Sequence, residues 1–284
     1  MRHSALEIKP IGRTLITISI SPIAFTIGTI SVRWYGIMLA LAILVLVVWM
    51  LWQVKRGAKL SNDTVLMAAL VGIPTGIVVS KLLHVVDYMV IAKLHPELVV
   101  TGEVVDYIQH PELIFTAAGL TAYGAVLGAA LGIWVYGKFS DLRFGYFADL
   151  VAPAVILAQA IGRVGCLING CCYGIETSLP WGVVYTHPDS FAPLGVAIHP
   201  TQLYEIVYNL VIFAVLLKLR GHFKPDGSLF LIYLSLYALW RVGIDFLRDG
   251  TPFLFGLYQA QIIAIIVLAI AVPLLAYRTR WVKG

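Results

Sequence analysis

The sequence predicts an all-α polytopic membrane protein with about seven transmembrane helices. Of its 284 residues, 60% are hydrophobic and only 12% are charged, and the mean hydropathy is +0.89. Because soluble domains carry about 25% charged residues, this surface cannot face water on all sides. The formal charge of +5 is spread over short clusters between apolar runs, which argues against a nucleic-acid partner. We expect one integral membrane domain over residues 1–284.

Seven apolar segments are long enough to cross a bilayer, which takes about 20 residues. They lie near residues 33–54, 64–90, 114–137, 146–167, 201–220, 226–247 and 258–277. The stretch before them mixes acidic and basic residues, and its apolar part is interrupted by Pro22 and Gly28. This pattern is typical of an interfacial segment rather than of a cleaved signal peptide.

Basic residues follow alternate connections between these segments and the C-terminal end. They are Lys55, Arg56, Lys59, Lys138, Arg143, Lys218, Arg220, Lys224, Arg278, Arg280 and Lys283. The positive-inside rule then predicts an outside N-terminus and a cytoplasmic C-terminus. Two connections on the predicted outer face, at about 91–113 and 168–200, are long enough to cap an outward-facing cavity.

Two arginines lie inside predicted spans rather than at their first or last residue, and a charge there is costly and usually faces the bundle interior or a wet cavity. Arg163 lies about one turn before the end of the fourth segment, and Tyr237, Arg241 and Asp245 share one face of the sixth because they are four residues apart. The predicted orientation places Arg163 and Arg241 at similar depth near the outer surface. Guanidinium groups suit phosphate, so the pair suggests a lipid-phosphate site. Alternatively, Arg241 pairs only with Asp245 and Arg163 extends to the headgroups.

The three cysteines follow Arg163 in the stretch GRVGCLINGCCYG. The spacing of Cys166, Cys171 and Cys172 matches no common zinc pattern, although His199 could add a ligand. On an oxidising outer face Cys166 could form a disulfide with either of the other two. The third alternative is that the thiols pack as small apolar side chains.

Two further stretches have two interpretations each. HPTQLYE opens the fifth helix, where Pro200 and Glu205 suit the first turns; it is either a simple helix start or a way to direct His199 and Gln202 toward the outer cavity. AAGLTAYGAVLGAALG places small residues along the third helix, which allows close helix approach or leaves room for a substrate chain.

These stretches together carry a family resemblance along nearly the whole chain. The segments are SPIAFTIGTISVRWYGIM, GLTAYGAVLG, GRVGCLINGCCYG, HPTQLYE and YALWRVGIDFLR. The chain resembles the prolipoprotein diacylglyceryl transferase family, and its CCYG signature resembles a variant branch of that family. The resemblance implies seven helices in the orientation predicted above.

The resemblance also implies an activity in bacterial lipoprotein biosynthesis. Such a transferase moves diacylglyceryl from phosphatidylglycerol to the thiol of the lipobox cysteine in a prolipoprotein signal peptide, and glycerol phosphate leaves. It implies a multi-pass protein of the bacterial inner membrane whose active site faces the outer, periplasmic side. Its partners are membrane lipid and the precursor, and it needs neither a cofactor nor a metal.

The family's functional residues map onto this chain by motif. Those implied to act in catalysis or substrate binding are Tyr35, Tyr123, Gly124, Arg163, Asn169, Gly174, Tyr237, Arg241 and Asp245, to which the sequence itself adds His199 and Gln202. Asp245 is shorter than the family's usual glutamate. Tyr123, Cys166 and Cys171 stand where the family usually has histidine, asparagine and glutamate.

The tyrosine at position 123 leaves the general base open. Tyr123 could act as a phenolate next to the arginines, or it could donate a hydrogen bond to the phosphate while His199 or Asp245 takes the thiol proton. Other functions therefore remain alternatives: a catalytically silent lipid-binding homologue, a diacylglyceryl transferase with another acceptor, and a transporter or redox protein that uses the cysteines.

Overall fold

A computed structural model describes residues 16–94, 121–250 and 252–282 of the chain. The helices in these residues are α1 (Trp34–Lys55), α2 (Asn62–Leu94), α3 (Ala122–Lys138), α4 (Phe144–Asn169), α5 (Thr201–Leu219), α6 (Ser228–Ile244) and α7 (Gln259–Arg278). All but α3 are long and apolar enough to cross a membrane, and the described part of α3 has 17 residues. The predicted all-α polytopic class is confirmed. Residues 114–120 of the third predicted span lie outside the described residues.

Short strands accompany the helices and were not predicted. They are β1 (Ile16–Ile18), β2 (Ile23–Ile27), β3 (Ile30–Arg33), β4 (Val183–Tyr185), β5 (Ala197–Ile198), β6 (Phe223–Lys224) and β7 (Arg280–Trp281). β4 pairs in parallel with β1 and antiparallel with β5, while β2–β3 and β6–β7 form two-stranded ribbons. Runs of two to five residues are too short to show an alternating pattern.

The connection at 168–200 is an ordered part of the fold. Its strands bury a small apolar cluster of Val183, Tyr185, Ala192 and Ile198. The hydroxyl of Tyr185 donates to the carbonyl of Leu167, 2.8 Å away, and so ties this cluster to the end of α4. Residues 95–113 of the other predicted outer loop lie outside the described residues.

The described residues fall into two compact units. One comprises the described parts of Met1–Val48 and Ala148–Gly284. In it α4, α5 and α6 surround a core of Ala152, Ile156, Ile212, Leu216, Leu229 and Tyr233. The carboxylate of Asp149 accepts hydrogen bonds from the backbone N–H groups of Gly227, at 2.7 Å, and Phe230, at 2.9 Å. This contact satisfies donors at the start of α6 that have no partner within the helix.

The second unit, Trp49–Phe147, is dominated by the packing of α2 on α3. A Cβ added at Gly128 would lie 2.5 Å from the carbonyl oxygen of Thr75. Ser80 Oγ donates to the carbonyl of Thr121, at 2.7 Å, and Thr121 Oγ1 donates to that of Ser80, at 3.1 Å. Close helix approach, one of the two predicted uses of the small residues, is therefore present here.

We expect Gly128→Ala to lower the free energy of unfolding by about 1–3 kcal/mol, because the added methyl group overpacks the contact between α2 and α3. Gly36→Ala on α1 is the matched control, since a Cβ there meets nothing within 4 Å. Thermal unfolding of the detergent-solubilised protein measures both. Equal melting temperatures for the two variants would contradict this account of the α2–α3 contact.

Candidate active site

A fully buried carboxylate, that of Glu205, lies at the centre of the candidate site. It stands early in α5, and three arginines approach it. Arg163 Nε, from α4, lies 2.8 Å from Oε1. Arg241 Nη1, from α6, and Arg248 Nη2, just after the 3₁₀ turn that follows α6, lie 3.7 Å and 3.5 Å from Oε2. Residues distant in sequence thus converge on one acid.

The polar face of α6 completes this cluster, as its four-residue spacing indicated. Tyr237 donates its hydroxyl to Glu205 Oε1 at 3.3 Å. Asp245 is buried, and its Oδ1 lies 3.2 Å from Arg241 Nη2 and 3.7 Å from Arg248 Nη1. Arg241 therefore contacts both acids rather than Asp245 alone. We call Glu205, Asp245 and the three arginines the arginine cluster.

The simpler interpretation of Arg163, an arginine extended to the headgroups, does not fit its contacts. Its side chain is 16% exposed, and its Nε atom points to the carboxylate of Glu205, which is fully buried. Its Nη1 atom lies 3.7 Å from Cys166 Sγ, one turn further along α4. Both contacts direct the guanidinium inward.

The arginine cluster has positive charge and hydrogen-bond donors to spare. Three guanidinium groups face two carboxylates, which leaves an excess of one positive charge. Among the described residues, Arg241 Nη1 and Arg248 Nε are buried without a hydrogen-bond acceptor. In the same part of the chain, the oxygens of Asp245 are also buried without a hydrogen bond, although Oδ1 lies within ion-pair range of Arg241 and Arg248. Buried donors normally have partners. An anion with several oxygens would supply these acceptors and balance the charge.

Close packing explains the glycine that ends the signature stretch. A Cβ at Gly174 would lie 2.5 Å from the carbonyl oxygen of Leu247 and 2.6 Å from Cβ of His199. The N–H of Gly174 also donates to the carbonyl of His199 at 3.0 Å. Asn169, predicted to bind substrate, accepts a hydrogen bond from Arg33 Nη1 at 2.9 Å through its Oδ1 atom. The signature turn is thus held against the start of α5 and the end of α6, and the substrate contacts of both residues stay predictions.

The first turn of α5 also contacts the turn at Cys171 and Cys172, which we call the cysteine turn. Gln202 Nε2 donates to the carbonyl of Cys171 at 2.8 Å, and Thr201 Oγ1 donates to that of Cys172 at 2.7 Å. Gln202 Oε1 is buried without a hydrogen-bond partner in the described residues. His199 Nδ1 lies 3.3 Å from the hydroxyl of Tyr204. The segment HPTQLYE therefore starts α5 and also holds the turn at Cys171 and Cys172. The catalytic role of His199 stays a prediction.

Tyr35 lies where α1 approaches α4. A Cβ at Gly165 would lie 3.1 Å from Cα of Tyr35, so the two helices cross closely two residues beyond Arg163. The side chain of Tyr35 is exposed, which leaves it accessible to a substrate. Its role in binding stays a prediction.

Tyr123 and Gly124 belong to the contact between α3 and α2. Tyr123 donates its hydroxyl to Asp87 Oδ2. A Cβ at Gly124 would lie 2.7 Å from Cα of Ser80, so helix packing alone accounts for this glycine. Asp87 was not predicted as a site residue, although an acid inside a predicted span is itself a signal of function.

The cysteines are free thiols whose sulfur atoms all lie within 4.8 Å of one another. Cys166 is buried, while Cys172 is exposed and has a φ of 60°. Hydrogen bonds from the thiols of Cys166 and Cys171 lower the pKa of Cys172 well below its usual range, and the charge of Arg163 acts in the same direction. We call these three residues the cysteine cluster.

Two members of the arginine cluster were not predicted. Arg248 lies three residues past Asp245 in DFLRDG, one residue beyond the predicted span at 226–247. Glu205 was interpreted only as an acid favoured early in a helix. Its signal was an acid in a mostly apolar helix, which requires a positive partner.

Apolar helices that hold three arginines around a buried acid define a multi-pass membrane protein whose site has the charge to bind an anion. The chain belongs to the prolipoprotein diacylglyceryl transferase family, whose model matches residues 22–277.

Relatives with the same name cover most of the chain. A phosphatidylglycerol–prolipoprotein diacylglyceryl transferase of Dehalococcoides mccartyi is 47% identical over 266 residues, which cover 94% of this chain and 96% of the relative. Proteins of that name from Clostridium tetani and Nostoc sp. are each 33% identical, over 81% and 90% of this chain and 86% and 88% of their own lengths. The predicted family is confirmed.

Proposed function

We propose that this chain is a phosphatidylglycerol–prolipoprotein diacylglyceryl transferase. The thiol of the lipobox cysteine attacks the glyceryl carbon that bears the phosphate ester. A carbon–sulfur bond forms, the carbon–oxygen bond to phosphate breaks, and glycerol phosphate leaves with the bonding electron pair. The names of the relatives and the arginine cluster support this proposal.

The observation that carries the proposal is the excess positive charge and the unused donors of the arginine cluster. The phosphodiester of phosphatidylglycerol carries one negative charge, which equals the excess. Arg163 and Arg241 bind it, and they stabilise the charge that grows on the departing phosphate. In a water-poor site each such preorganised donor contributes about 3 kcal/mol to lowering the barrier.

Glu205 holds the arginines in place before the lipid arrives. Three guanidinium groups without a shared acid would repel one another, and side chains of this length would lose their common orientation. Because Glu205 contacts all three, the donors are preorganised around one point. Glu205 and Asp245 act here as positioning residues, and Tyr237 orients the Glu205 carboxylate through its hydroxyl.

The proton of the attacking thiol needs an acceptor, because a thiol with a pKa near 8.5 attacks well only as the thiolate. The resemblance assigns a catalytic group to position 123. We assign the proton transfer to Tyr123, which passes its own proton to Asp87 as it takes the thiol proton. His199, whose ring lies next to Tyr204, is the second candidate for the base.

The setting proposed for this reaction is the outer face of the bacterial inner membrane. The chain spans the membrane as a single domain with its N-terminus outside and its C-terminus in the cytoplasm, as the basic connections indicate. Phosphatidylglycerol enters from the outer leaflet, and the signal peptide of the prolipoprotein reaches the same site. Tyr35, Gly124, Asn169, Gly174 and Gln202 complete the substrate-binding set.

The alternative is a homologue that binds lipid without transferring it, or one that transfers diacylglyceryl to a different acceptor. The observation that favours it is Tyr123 at the position where the family usually has histidine. In vitro transfer from labelled phosphatidylglycerol to a lipobox peptide distinguishes the cases. Binding without transfer supports the silent homologue, and glycerol phosphate release with an unlabelled peptide supports another acceptor.

Arg163→Ala and Arg241→Ala should each lower this transfer about 100-fold or more, because each removes a donor to the departing phosphate. Arg220→Ala is the matched control: it removes the same charge at the opposite end of α5, roughly 22 Å from Glu205 along the helix. The measurement is the initial rate of peptide labelling at fixed protein concentration.

Melting temperatures measured beside these rates separate a lost donor from a lost fold. Arg241→Lys keeps the positive charge but loses the bidentate hydrogen-bond donor. Its transfer rate should therefore lie between those of the wild type and Arg241→Ala. Wild-type turnover in a folded Arg163→Ala or Arg241→Ala variant would remove that arginine from the proposed mechanism.

Tyr123→Phe should lower the transfer rate about 100-fold, because it deletes the hydroxyl that relays the proton while keeping the ring. Asp87→Asn should have a comparable effect. Tyr136→Phe, which makes the same change near the other end of α3, should leave the rate unchanged. Unchanged lipidation by the Tyr123→Phe variant would exclude this residue from the chemistry.

A further inference from the structure

The cysteine cluster contains every cysteine of the chain, and the proposed transfer uses none of them. The sequence has three cysteines, and their sulfur atoms converge to within 4.8 Å of one another. A single disulfide needs only two sulfur atoms. Packing as small apolar groups needs no convergence of the sulfur atoms at all. A site in which all three meet at one point requires another explanation.

The spacing of the sulfur atoms fits coordination of one metal ion. Zinc–thiolate bonds are about 2.3 Å long, which places three sulfur ligands of one ion about 4 Å apart. The observed limit of 4.8 Å requires shifts of less than about 1 Å to reach that geometry. Thiolates are also the ligands that thiophilic cations prefer.

The backbone is shaped to bring the thiols together. Cys166 lies in the last turn of α4, and the N–H of Cys171 donates back to its carbonyl at 3.1 Å. Between them Gly170 has a φ of 73°, which reverses the chain over the helix end. Cys172 has a φ of 60°, a conformation that costs a non-glycine residue about 1 kcal/mol or more. The surrounding structure must therefore hold it there.

Polar side chains hold Cys171 and Cys172 through hydrogen bonds to the backbone carbonyl groups of these two cysteines. Gln202 and Thr201, both fully buried, donate to the carbonyls of Cys171 and Cys172. These hydrogen bonds fix the backbone of both cysteines and so limit the positions that their thiols can take. One divalent cation with three thiolates would carry one net negative charge, and the guanidinium of Arg163, 3.7 Å from Cys166 Sγ, lies where its positive charge would offset it.

We propose that Cys166, Cys171 and Cys172 bind one thiophilic divalent cation, of the Zn²⁺ and Cd²⁺ class, through three thiolates. The exposed position of Cys172 leaves a fourth coordination position accessible from outside. The proposed metal site does not rest on the proposed transferase function. It borders the arginine cluster at Arg163, whose guanidinium contacts both Glu205 and Cys166.

The test uses the full-length, fully reduced protein in detergent under anaerobic conditions, titrated with Cd²⁺. The readouts are the near-ultraviolet thiolate-to-cadmium absorption and the number of thiols that react with Ellman's reagent. Because the chain has no other cysteine, both signals come from the cluster alone. We expect one equivalent of Cd²⁺ to produce the absorption band and to protect every thiol that reacts with the reagent in the metal-free protein. Affinity should fall as pH falls, since binding displaces thiol protons.

Two variants separate the site from adventitious binding. Cys172→Ser should bind Cd²⁺ about tenfold or more weakly and give a smaller band, because one of three ligands is lost. Tyr173→Phe changes the next residue, keeps all three sulfur atoms and should behave as the wild type. Melting temperatures with and without Cd²⁺ give a third readout, which should rise for the wild type and for Tyr173→Phe.

Three results would overturn the proposal. The first is a reduced wild-type protein that shows no absorption band at stoichiometric Cd²⁺ and keeps as many reactive thiols as the metal-free protein. The second is a folded Cys172→Ser variant that binds Cd²⁺ as tightly as the wild type. The third is a disulfide that forms in air equally fast with and without bound Cd²⁺, which would mark the cluster as a redox pair with a spare thiol. The absorption band and the thiol count of the wild-type protein test the proposal without any variant. They therefore give a result even if Cys172→Ser does not fold.

Discussion

The burial of one carboxylate, that of Glu205, is the constraint on which the site depends. An acid with no solvent exposure in an apolar helix is costly unless positive groups compensate it. The chain supplies three arginines from α4, α6 and the segment after α6. The three arginines outnumber the two acids of the cluster. The arrangement that stabilises the buried carboxylate therefore leaves an excess positive charge. The compensation of the buried acid and the positive charge available for an anion thus have the same origin.

The arginine cluster requires its supporting elements to meet closely. α5 must begin next to the end of α4 and the 3₁₀ turn after α6, and Gly174 allows this because no Cβ fits between Leu247 and His199. Gln202 and Thr201 then fasten the cysteine turn to the first turn of α5. The signature stretch GRVGCLINGCCYG therefore combines an arginine, a tight turn and a thiol cluster, because one short segment serves both neighbouring sites.

Local patterns in the sequence were enough to predict the helices, but not the pairing of charges. Hydropathy located the helices, and the four-residue spacing of Tyr237, Arg241 and Asp245 placed them on one face. The partners of these groups come from other helices, and a contact such as Arg163 with Glu205 leaves no local pattern. The same holds for Tyr123 with Asp87 and for strands of two to five residues. Charged residues within apolar helices were the one available signal, and Glu205 and Asp87 both carried it.

The central claim, that the arginine cluster binds the phosphate of phosphatidylglycerol, is tested most directly by solid-state NMR. The measurement is the dipolar coupling between the phosphorus of one equivalent of lipid and the ¹⁵N-labelled guanidinium nitrogens of the detergent-solubilised protein in a frozen sample. Hydrogen-bonded guanidinium nitrogens lie about 4 Å from phosphorus. The account predicts a coupling of that range that weakens in both Arg163→Ala and Arg241→Ala. Bound lipid with no such coupling in an active wild-type protein would contradict it.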